Sequence, residues 1–296
     1  QSRSGCGSQA GRMSDFQTPF LGSEAVADGL LRKHQLRSRF DSVLPGVYAP
    51  RGVQLTLPDR AYAAWLWSRR QGIIMGTTAA ALHGSKWVDN ESPVEILWSN
   101  ARPPRGVRTR TAQLFADEWL TLGCLPITTA ERTGFDIGRR RSSGPTVAAM
   151  DSLLRATGVG KADIADIAGR HPGVRGLRQL ETVLDLVDPG AQSPKETWLR
   201  LLLVAAGLPR PTTQIPVRGA ASTFYLDMGW EDLMVAVEYD GEQHRTDRWQ
   251  YTKDIRRSEE LARLGWIIVR VVAGDRPPDI VRRVREALQR RSSSLR

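Results

Sequence analysis

The residues best suited to chemistry lie in one short stretch of the C-terminal third, where carboxylates end two predicted strands. Asp227 ends one strand, and Glu238 and Asp240 end the next, after the apolar run Leu233–Val237. Because side chains alternate along a strand with a period of two, Glu238 and Asp240 share one face. Two carboxylates at the end of a buried strand are costly unless something pairs with them, and hard cations bind such oxygens. The pattern therefore predicts a site for Mg²⁺ or Mn²⁺.

The elements that must position these carboxylates follow a definite order. Apolar periodicity, caps and turn residues predict a helix, three consecutive strands, a helix, a buried strand and a final helix. They are predicted at Ser193–Ala206, Thr213–Val217, Thr223–Met228, Leu233–Tyr239, Asp247–Leu264, Trp266–Val272 and Asp279–Arg290. The order is αβββαβ plus a helix, and the Pro- and Gly-containing linker Asp188–Pro194 precedes it.

The hairpin between the second and third strands decides whether the carboxylates meet. A turn through Gly229–Asp232 does not set Asp227 and Glu238 directly across from each other. We therefore expect a sharp bend at Trp230 to bring the two side chains to one site.

This module resembles a known nuclease family. The motif DxG…VAVEYDGEQH, from Asp227 to His244, is similar to the very-short-patch-repair-like (Vsr-like) branch of the PD-(D/E)XK superfamily, whose core is also αβββαβ. The resemblance covers residues 192–291. It implies a restriction-endonuclease-like fold and metal-dependent hydrolysis of a phosphodiester, in which Mg²⁺ polarises the phosphate and lowers the pKa of the attacking water.

The resemblance also implies roles for the acidic residues. Asp227 and Glu238 would hold the metal ion, and Glu196 would complete the acidic cluster. Glu196 also fits a capping box with Ser193, so a purely structural role for it stays open. Asp240 stands where many members of the superfamily have a lysine, and this departure shifts the proton-transfer role to another side chain.

Residues after the motif could supply that proton transfer and hold the phosphate. Gln243 and His244 follow the carboxylates, and a histidine with a pKa near 6.5 can give or take a proton. Lys253 and Arg257 share one helix face at i, i+4 and could steady the scissile phosphate. Plainer interpretations stay open: an ordinary surface histidine, and a solvated helix face paired with neighbouring carboxylates.

The N-terminal region is basic and predicts a small DNA-binding unit. Residues 32–110 hold 13 Lys and Arg against five Asp and Glu. A helix is predicted over Ser23–His34, capped by Ser23, and a hairpin-like segment over Ser42–Tyr48. Helix, basic helix and hairpin together favour a winged helix, with any small α+β unit as the alternative. Its candidate DNA-binding residues are Arg32, Lys33, Arg37 and Arg39.

A second basic feature lies on a predicted strand, Val107–Thr111. Arg108 and Arg110 alternate with Val107 and Thr109, so both arginines share one strand face. This pattern predicts contacts to DNA phosphates, and a solvated face on a half-buried strand is the alternative.

Residues 24–136 resemble the AbiEi-type antitoxin and transcriptional-regulator family. The matching stretches are Gly46–Tyr48 and Ala80–Gly84. In that family a winged-helix domain precedes an α/β domain. The resemblance implies DNA binding by Arg32–Arg39, together with an interaction surface for a toxin or other protein partner, and it implies no catalysis.

Length and composition bound the remaining choices. The chain has 296 residues, 42 Lys and Arg against 32 Asp and Glu, and a pI near 10.3. This charge favours a polyanionic partner such as DNA. Two cysteines exclude a disulfide framework and a Cys-rich zinc site, and a membrane helix would need about 20 apolar residues that the sequence lacks. We therefore expect a cytoplasmic protein.

The predicted fold class is α+β. A winged-helix-like and α/β region comes first, and a restriction-endonuclease-like αβββαβ domain follows. We expect a disordered leader or extension at 1–13, a winged-helix-like segment at 14–57, an AbiEi-like α/β and helical region at 58–188, and a PD-(D/E)XK-like domain at 189–296.

Two functions from different classes stay open. The first is a metal-dependent DNA endonuclease of the repair or nicking type. The second is an antitoxin-like DNA-binding regulator whose nuclease fold is inactive. Retention of all four acidic residues favours the enzyme, because an inactive remnant is expected to lose them first. An RNA substrate, the oligomeric state and a toxin partner are not decided by the sequence.

Overall fold

The computed structural model of the protein describes residues 16–100, 102–140, 143–220, 222–241 and 248–294, and the side chains of 248–254 and 294 are not described. The chain divides into two compact units. The N-terminal unit runs to Arg140 and includes Ala156–Leu180, whereas the C-terminal unit takes Arg141–Arg155 and everything from Glu181. Helices and three β-sheets confirm the predicted α+β class. Across the described residues no helix is both long and apolar enough to cross a membrane.

The N-terminal unit begins with a small antiparallel sheet and two short helices. Its elements are β1 (Phe20–Leu21), α1 (Gly22–Ala27), α2 (Lys33–Arg39), β2 (Phe40–Leu44) and β3 (Val47–Pro50). The strand order is β1-β3-β2, so the predicted hairpin is present as β2 and β3. Ala25, Leu31 and Leu36 form the buried centre of this part.

The single helix predicted over Ser23–His34 is wrong. The first helix ends at Ala27, because Gly29 adopts φ +73°, the left-handed geometry that terminates helices. Leu21, and not the predicted Ser23, precedes the first turn. The chain then turns, and the basic residues begin a separate helix.

A five-stranded mixed sheet forms the rest of this unit. Its elements are α3 (Leu57–Trp67), β4 (Ile73–Ile74), α4 (Gly76–Leu82), β5 (Val94–Leu97), β6 (Val107–Arg110), β7 (Trp119–Leu122), β8 (Leu125–Thr128) and α5 (Ala130–Gly138). The strand order is β6-β5-β4-β8-β7. Met75 precedes α4 and makes no side-chain cap for it.

Three further helices connect the two units along the chain: α6 (Gly144–Thr157), α7 (Lys161–Arg170) and α8 (Leu177–Leu186). α7 belongs to the N-terminal unit, whereas α6 and α8 each cross a boundary between the units. Together with α5, they make this part of the chain helical.

A buried ionic cluster lies in the N-terminal unit; we call it the Arg132 cluster (Glu118, Arg132, Asp136 and His171). Arg132 is fully buried and pairs with both carboxylates, at 2.9 Å from Nε to Asp136 Oδ2. His171 Nε2 lies 2.8 Å from Glu118 Oε1, and its ring stacks on Phe135. Each carboxylate therefore has a cationic partner, as a buried charge requires.

The C-terminal unit is built on a four-stranded sheet. Its elements are α9 (Pro194–Ala205), β9 (Thr212–Arg218), β10 (Thr223–Trp230), a 3₁₀ turn (Glu231–Leu233), β11 (Val235–Asp240), α10 (Arg248–Arg263), β12 (Ile267–Val272) and α11 (Pro277–Ser294). The strand order is β12-β11-β10-β9, with β11 and β12 parallel and the other pairs antiparallel. This reproduces the predicted αβββαβ order, element by element.

Helices cover both faces of this sheet. Leu199 of α9 and Ile280 of α11 pack with Val237 on one face. Leu261 of α10 packs with Ala236 on the other. Alternate side chains of β11 thus enter two different cores, which explains its continuous apolar sequence.

A buried ion pair ties α6 to α9 within the C-terminal unit. Arg200 Nη2 lies 2.9 Å from Asp151 Oδ2, and both side chains are more than nine-tenths buried. The Thr197 hydroxyl donates to the same carboxylate at 2.8 Å, and the Asp188 N–H donates to its other oxygen at 2.7 Å. Burial raises the pKa of Asp151 despite the nearby Arg200 charge.

Candidate functional site

Asp227 and Glu238 lie side by side on neighbouring strands. The paired residues Met228↔Val237 and Trp230↔Val235 close a four-residue connection, and one step further along this register Asp227 faces Glu238. The expectation that the hairpin separates them is therefore wrong. The turn lies at 231–234, with Met234 in the left-handed region (φ +51°), and not at Gly229–Asp232.

The bend in β10 lies at Asp227, and not at Trp230 as expected. The pairing of β9 with β10 lacks only the Gln214–Asp227 pair, and Gln214 adopts φ +53°. Leu226 packs in the α10-side core, whereas Met228 packs in the α9-side core. Leu226 and Met228 thus enter different cores, and the irregular position between them is Asp227.

Glu196 contributes the third carboxylate from the first turn of α9. The Glu196 Oε1 atom accepts from the Ser193 hydroxyl at 2.9 Å, and Oε2 accepts from the Gln192 N–H at 2.8 Å. The backbone N–H of Glu196 in turn donates to the Ser193 hydroxyl oxygen, which caps the helix. Ser193 thus caps α9 as predicted, but the Glu196 carboxylate accepts from Gln192 N–H and not from Ser193 N–H, so the structure shows a helix cap with a structural role for Glu196 in place of a full capping box. This cap also holds a buried carboxylate beside Asp227, since the charge of Glu196 acts on that residue.

We call the three carboxylates of Glu196, Asp227 and Glu238 the acidic cluster. The negative charges of Glu196 and Glu238 disfavour a negative charge on Asp227. Burial is the largest effect on Asp227, followed by the negative charge of Glu196 and then that of Glu238, and together they raise the pKa of Asp227 to about 7. The Tyr239 N–H, which donates to Asp227 Oδ2 at 2.9 Å, opposes this shift. A carboxyl group whose pKa is raised by burial and by nearby like charges is typical of functional sites.

Arg257 of α10 is the cation of this cluster. Its guanidinium engages both oxygens of Glu238, with Nη1 at 3.0 Å from Oε2, and donates to the Tyr225 carbonyl at 3.0 Å. The Glu238 side chain is only 10% exposed. Sequence reasoning expected Arg257 to contact a phosphate, but here it contacts a carboxylate of the site itself.

The donor set fits a divalent cation in kind, because carboxylate oxygens are the ligands that Mg²⁺ and Mn²⁺ prefer. In this conformation Glu238 is engaged by Arg257. Within the part of the chain that the structure describes, no three His, Cys, Asp or Glu side chains converge closely enough to hold an ion. Metal binding by Asp227, Glu238 and Glu196 therefore needs a rearrangement at Glu238.

The remaining predicted residues are placed only in part. Asp240 is half-buried at the end of β11. Gln243 and His244 lie outside the described residues. Lys253 belongs to α10, but its side chain lies outside the description.

An aromatic pair beside the acidic cluster was missed by sequence reasoning. The exposed ring of Trp198 on α9 packs edge-on against Tyr239, with ring centroids 6.4 Å apart, and Lys195 Nζ lies 5.9 Å from the Tyr239 ring. The Tyr239 N–H is the donor to Asp227. A tryptophan on the polar side of an amphipathic helix was the available signal. By contrast, Trp230 packs on the core and donates to the Pro209 carbonyl.

The predicted DNA-binding residues of the N-terminal unit are exposed. On the first basic stretch these are Arg32, Lys33, Arg37 and Arg39, in α2 and its N-cap. Arg108 and Arg110 project from one face of β6, as predicted, and line an open cavity of about 710 Å³. Ser99, Asn100 and Thr111 also line this cavity. Cations beside hydroxyl and amide groups suit the binding of phosphate oxygens.

Comparisons with known proteins give distant relatives. No family model matches the sequence. The uncharacterized protein Rv2248 of Mycobacterium tuberculosis H37Rv is 26% identical over 199 residues, which are 67% of this chain and 73% of that protein, and the uncharacterized protein MT2308 of strain CDC 1551 matches equally. A crystal structure of the Rv2827c protein of the same species covers 69% of this chain and 84% of its own, with 16% identity and a TM-score of 0.40. The chain is thus a distant homologue of Rv2248.

Proposed function

We propose that the protein is a metal-dependent endonuclease that hydrolyses phosphodiester bonds in DNA. The observation that carries this proposal is the acidic cluster: carboxylates from α9, β10 and β11 lie near enough that burial and the charges of Glu196 and Glu238 raise the pKa of Asp227 to about 7. A purely structural cluster would be expected to carry matching cations. Two of these three carboxylates are instead held by neutral donors.

The fold of the C-terminal unit supports this assignment. A four-stranded mixed sheet with helices on both faces and the order αβββαβ resembles the restriction-endonuclease-like core. The position of Asp227 on β10, across from Glu238 on β11, is compatible with the metal-ligand roles that the Vsr-like resemblance implies for these two residues. We assign the unit to the PD-(D/E)XK superfamily on this resemblance.

The chain's own residues would divide the chemistry as follows. Glu196, Asp227 and Glu238 would hold Mg²⁺ or Mn²⁺, which supplies polarisation of the phosphate and a lowered pKa for water. His244 would carry the proton, with Gln243 and Asp240 beside it. Lys253 and Arg257 on α10 would contact the phosphate.

The N-terminal unit would bind the substrate. We propose a winged-helix-like start on the basis of two helices followed by the β2–β3 hairpin, with the basic residues Arg32–Arg39 facing the duplex. Arg108 and Arg110 would contact further phosphates from the cavity on β6. Exposed arginines on two separate elements suit a long polyanion better than a small anion.

A second candidate function is an antitoxin-like DNA-binding regulator with a catalytically inactive nuclease fold, with or without a toxin partner. The observation that favours it is Arg257, which already neutralises Glu238 without a metal. Both candidates place DNA on the N-terminal unit, so DNA binding alone does not separate them.

Plasmid cleavage separates the two candidates. Supercoiled DNA is incubated with the purified protein and Mg²⁺ or Mn²⁺, beside an EDTA control and the Glu238→Ala variant. We expect nicking or linearisation by the wild type, and a loss of at least a hundredfold in both controls.

Glu231→Ala is the matched control, because Glu231 is exposed on the 3₁₀ turn seven residues away. It should cleave like the wild type. Duplex binding without cleavage by the wild type would favour the regulator. Equal cleavage by the wild type and Glu238→Ala would refute the assigned site.

A further inference from the structure

Strand β7 (Trp119–Leu122), at one edge of the five-stranded sheet, is apolar and exposed. Trp119, Leu120 and Leu122 are 40%, 39% and 45% exposed, although all three are large hydrophobic side chains. Side chains alternate along a strand, so Trp119 projects from one face of the sheet and the two leucines from the other. Both faces of this strand are therefore only partly covered by the rest of the described chain.

The other sheet edges of the molecule differ from β7. Edge strands usually carry a feature that prevents pairing with another strand, such as a charge, a proline, a bulge or a very short length. The three sheets among the described residues have six edges, and the five besides β7 each carry such a feature. These features are the two-residue length of β1, Asp41 and a bulge on β2, Arg108 and Arg110 on β6, Pro216 and Arg218 on β9, and Arg270 on β12.

No such feature protects β7 in the part of the chain that the structure describes. Its sequence is Trp-Leu-Thr-Leu, with neither a charge nor a proline. It pairs with β8 residue by residue, without a bulge. Of the six edges, β7 is thus the one that can accept another strand.

The backbone of β7 offers hydrogen bonds in a fixed pattern. The Thr129 N–H donates to the Glu118 carbonyl at 3.0 Å, and in an antiparallel pair every second residue bonds toward the partner strand. The even-numbered residues of β7 therefore bond toward β8, whereas the N–H and carbonyl groups of Trp119 and Thr121 point away from it. Pro126, which has no N–H, lies opposite Thr121 and fits this alternation.

A second copy of β7 matches this pattern when it runs antiparallel about a twofold axis. Trp119 of each copy then lies opposite Thr121 of the other, so the outward N–H and carbonyl groups of both residues bond across the contact. Leu120 lies on the axis and faces Leu120 of the second copy. Because the strand carries no charge, no like charges from β7 meet across the axis. Such a contact uses the same surface on both copies, as twofold dimers do.

We propose that β7 is a self-association edge, through which two copies of the protein join their five-stranded sheets into one sheet of ten strands. A pair of four-residue strands is smaller than the interfaces of about 1,200–2,000 Å² that hold stable complexes together. The dimer is therefore weak and reversible, with a dissociation constant above about 1 µM. This inference is independent of the proposed nuclease function.

Sedimentation equilibrium of the full chain, from about 1 µM to 1 mM, measures the association. We expect the wild type to shift from monomer towards dimer over this range. Leu120→Lys sets two like charges opposite each other on the axis and should weaken the dimer at least about tenfold. Val53→Lys is the matched control, because Val53 is also exposed in the N-terminal unit but lies outside the strands. It should associate like the wild type, and circular dichroism verifies that both variants are folded.

A disulfide tests the register and does not depend on the lysine variant. In the proposed pair the two Leu120 Cα atoms lie about 4.5 Å apart, within the range that a disulfide spans. Leu120→Cys should therefore form a covalent dimer under mild oxidation. The two Leu122 residues lie roughly 13 Å apart along the joined strands, so Leu122→Cys should give no more covalent dimer than the wild type with its native cysteines.

Three outcomes would overturn the proposal. A wild type that stays monomeric up to about 1 mM would exclude self-association and leave the edge to a strand of another protein. A dimer that Leu120→Lys leaves at wild-type strength would place the contact away from β7. Equal cross-linking by Leu120→Cys and Leu122→Cys would refute the antiparallel register.

Discussion

Two of the buried groups of charges among the described residues are built on opposite principles. In the Arg132 cluster, Glu118 and Asp136 each pair with the buried Arg132, and Arg170 and Arg139 add a second guanidinium to each. Among the side chains that the structure describes, the three carboxylates of the acidic cluster have one guanidinium partner, which pairs with Glu238. Counted over the described side chains, the first cluster balances its charges internally, whereas the second does not.

This difference distinguishes a structural group of charges from a candidate functional one. A balanced cluster gains from its pairs and has no use for a further ion. In the acidic cluster, burial first and then the like charges of Glu196 and Glu238 raise the pKa of Asp227. Burial alone is therefore a poor guide to function, and the balance of charge around the buried groups is a better one.

The largest expected effect comes from breaking the balanced cluster. Arg132→Met would leave two buried carboxylates without their central partner, and we expect it to cost about 3–5 kcal/mol of unfolding free energy. Chemical denaturation followed by circular dichroism measures it. Arg282→Met removes an exposed surface ion pair on α11 and should leave the midpoint unchanged. Similar midpoints for the two variants would contradict the structural role of the Arg132 cluster.

The next largest effect comes from removing one negative charge from the acidic cluster. The folded pKa of Asp227, about 7, lies above its ordinary value of 3.8, so the folded state keeps a proton that the unfolded chain releases. Stability should therefore fall as pH rises from about 4 to 7 and level off above 7. Asp227→Asn should remove this fall and be about 2–4 kcal/mol more stable than the wild type at pH 8.

Denaturation curves at pH 5 and pH 8 for both proteins provide the measurement. The difference in unfolding free energy between Asp227→Asn and the wild type should widen as pH rises. Asp151 is present in both proteins, so its titration cancels in this difference. A constant gap would show that Asp227 titrates near its ordinary pKa. Saturating Mn²⁺ should stabilise the wild type and leave Asp227→Asn unchanged.

A smaller effect concerns the aromatic pair beside the acidic cluster. An exposed tryptophan next to Tyr239 and Lys195 offers a face on which an unstacked base can lie. Trp198→Ala should weaken binding of a single-stranded oligonucleotide by about 1–2 kcal/mol. Fluorescence anisotropy with Trp119→Ala as control, another exposed tryptophan but on β7, tests this. Equal losses of oligonucleotide affinity in both variants would show that Trp198 makes no specific contact with the nucleic acid.

The smallest effect concerns exposed charge. Replacing Arg37 and Arg39 with Ala should weaken duplex binding for all sequences and reduce the salt dependence, with the slope of log K against log salt falling by about 1 per lost phosphate contact. Titrations at several salt concentrations measure this slope. An unchanged slope would move the DNA contacts away from α2 and leave Arg108 and Arg110 as the better candidates.

Sequence reasoning predicted the C-terminal unit well because its signals are local. The Ser193 cap, the apolar runs and Gly265, which ends α10, each mark an element within a few residues, and all seven elements are present. β7 was missed because Trp119, Leu120 and Leu122 are all exposed on an edge strand, so no alternation of apolar and polar residues shows it.

The site itself was predicted in composition but not in geometry. The turn depends on a left-handed Met234, and the bend on a left-handed Gln214, and neither residue type signals such a conformation. The partner of Glu238 lies nineteen positions away on another element, so no spacing rule connects them. Which residues carry charge was readable from sequence, but which charges cancel was not.

The contact between Asp151 and Arg200 has a consequence for how this chain can be divided. A fragment that begins at the linker would keep Arg200 and Thr197 but lose the carboxylate that both of them bind. The segment that begins at the linker before α9 therefore does not contain all of the contacts that hold it together. If this unit is inherited, exchanged or expressed as a separate fragment, the fragment must include α6. Homologues that lack an acidic residue at the position of Asp151 should also lack the buried arginine at the position of Arg200.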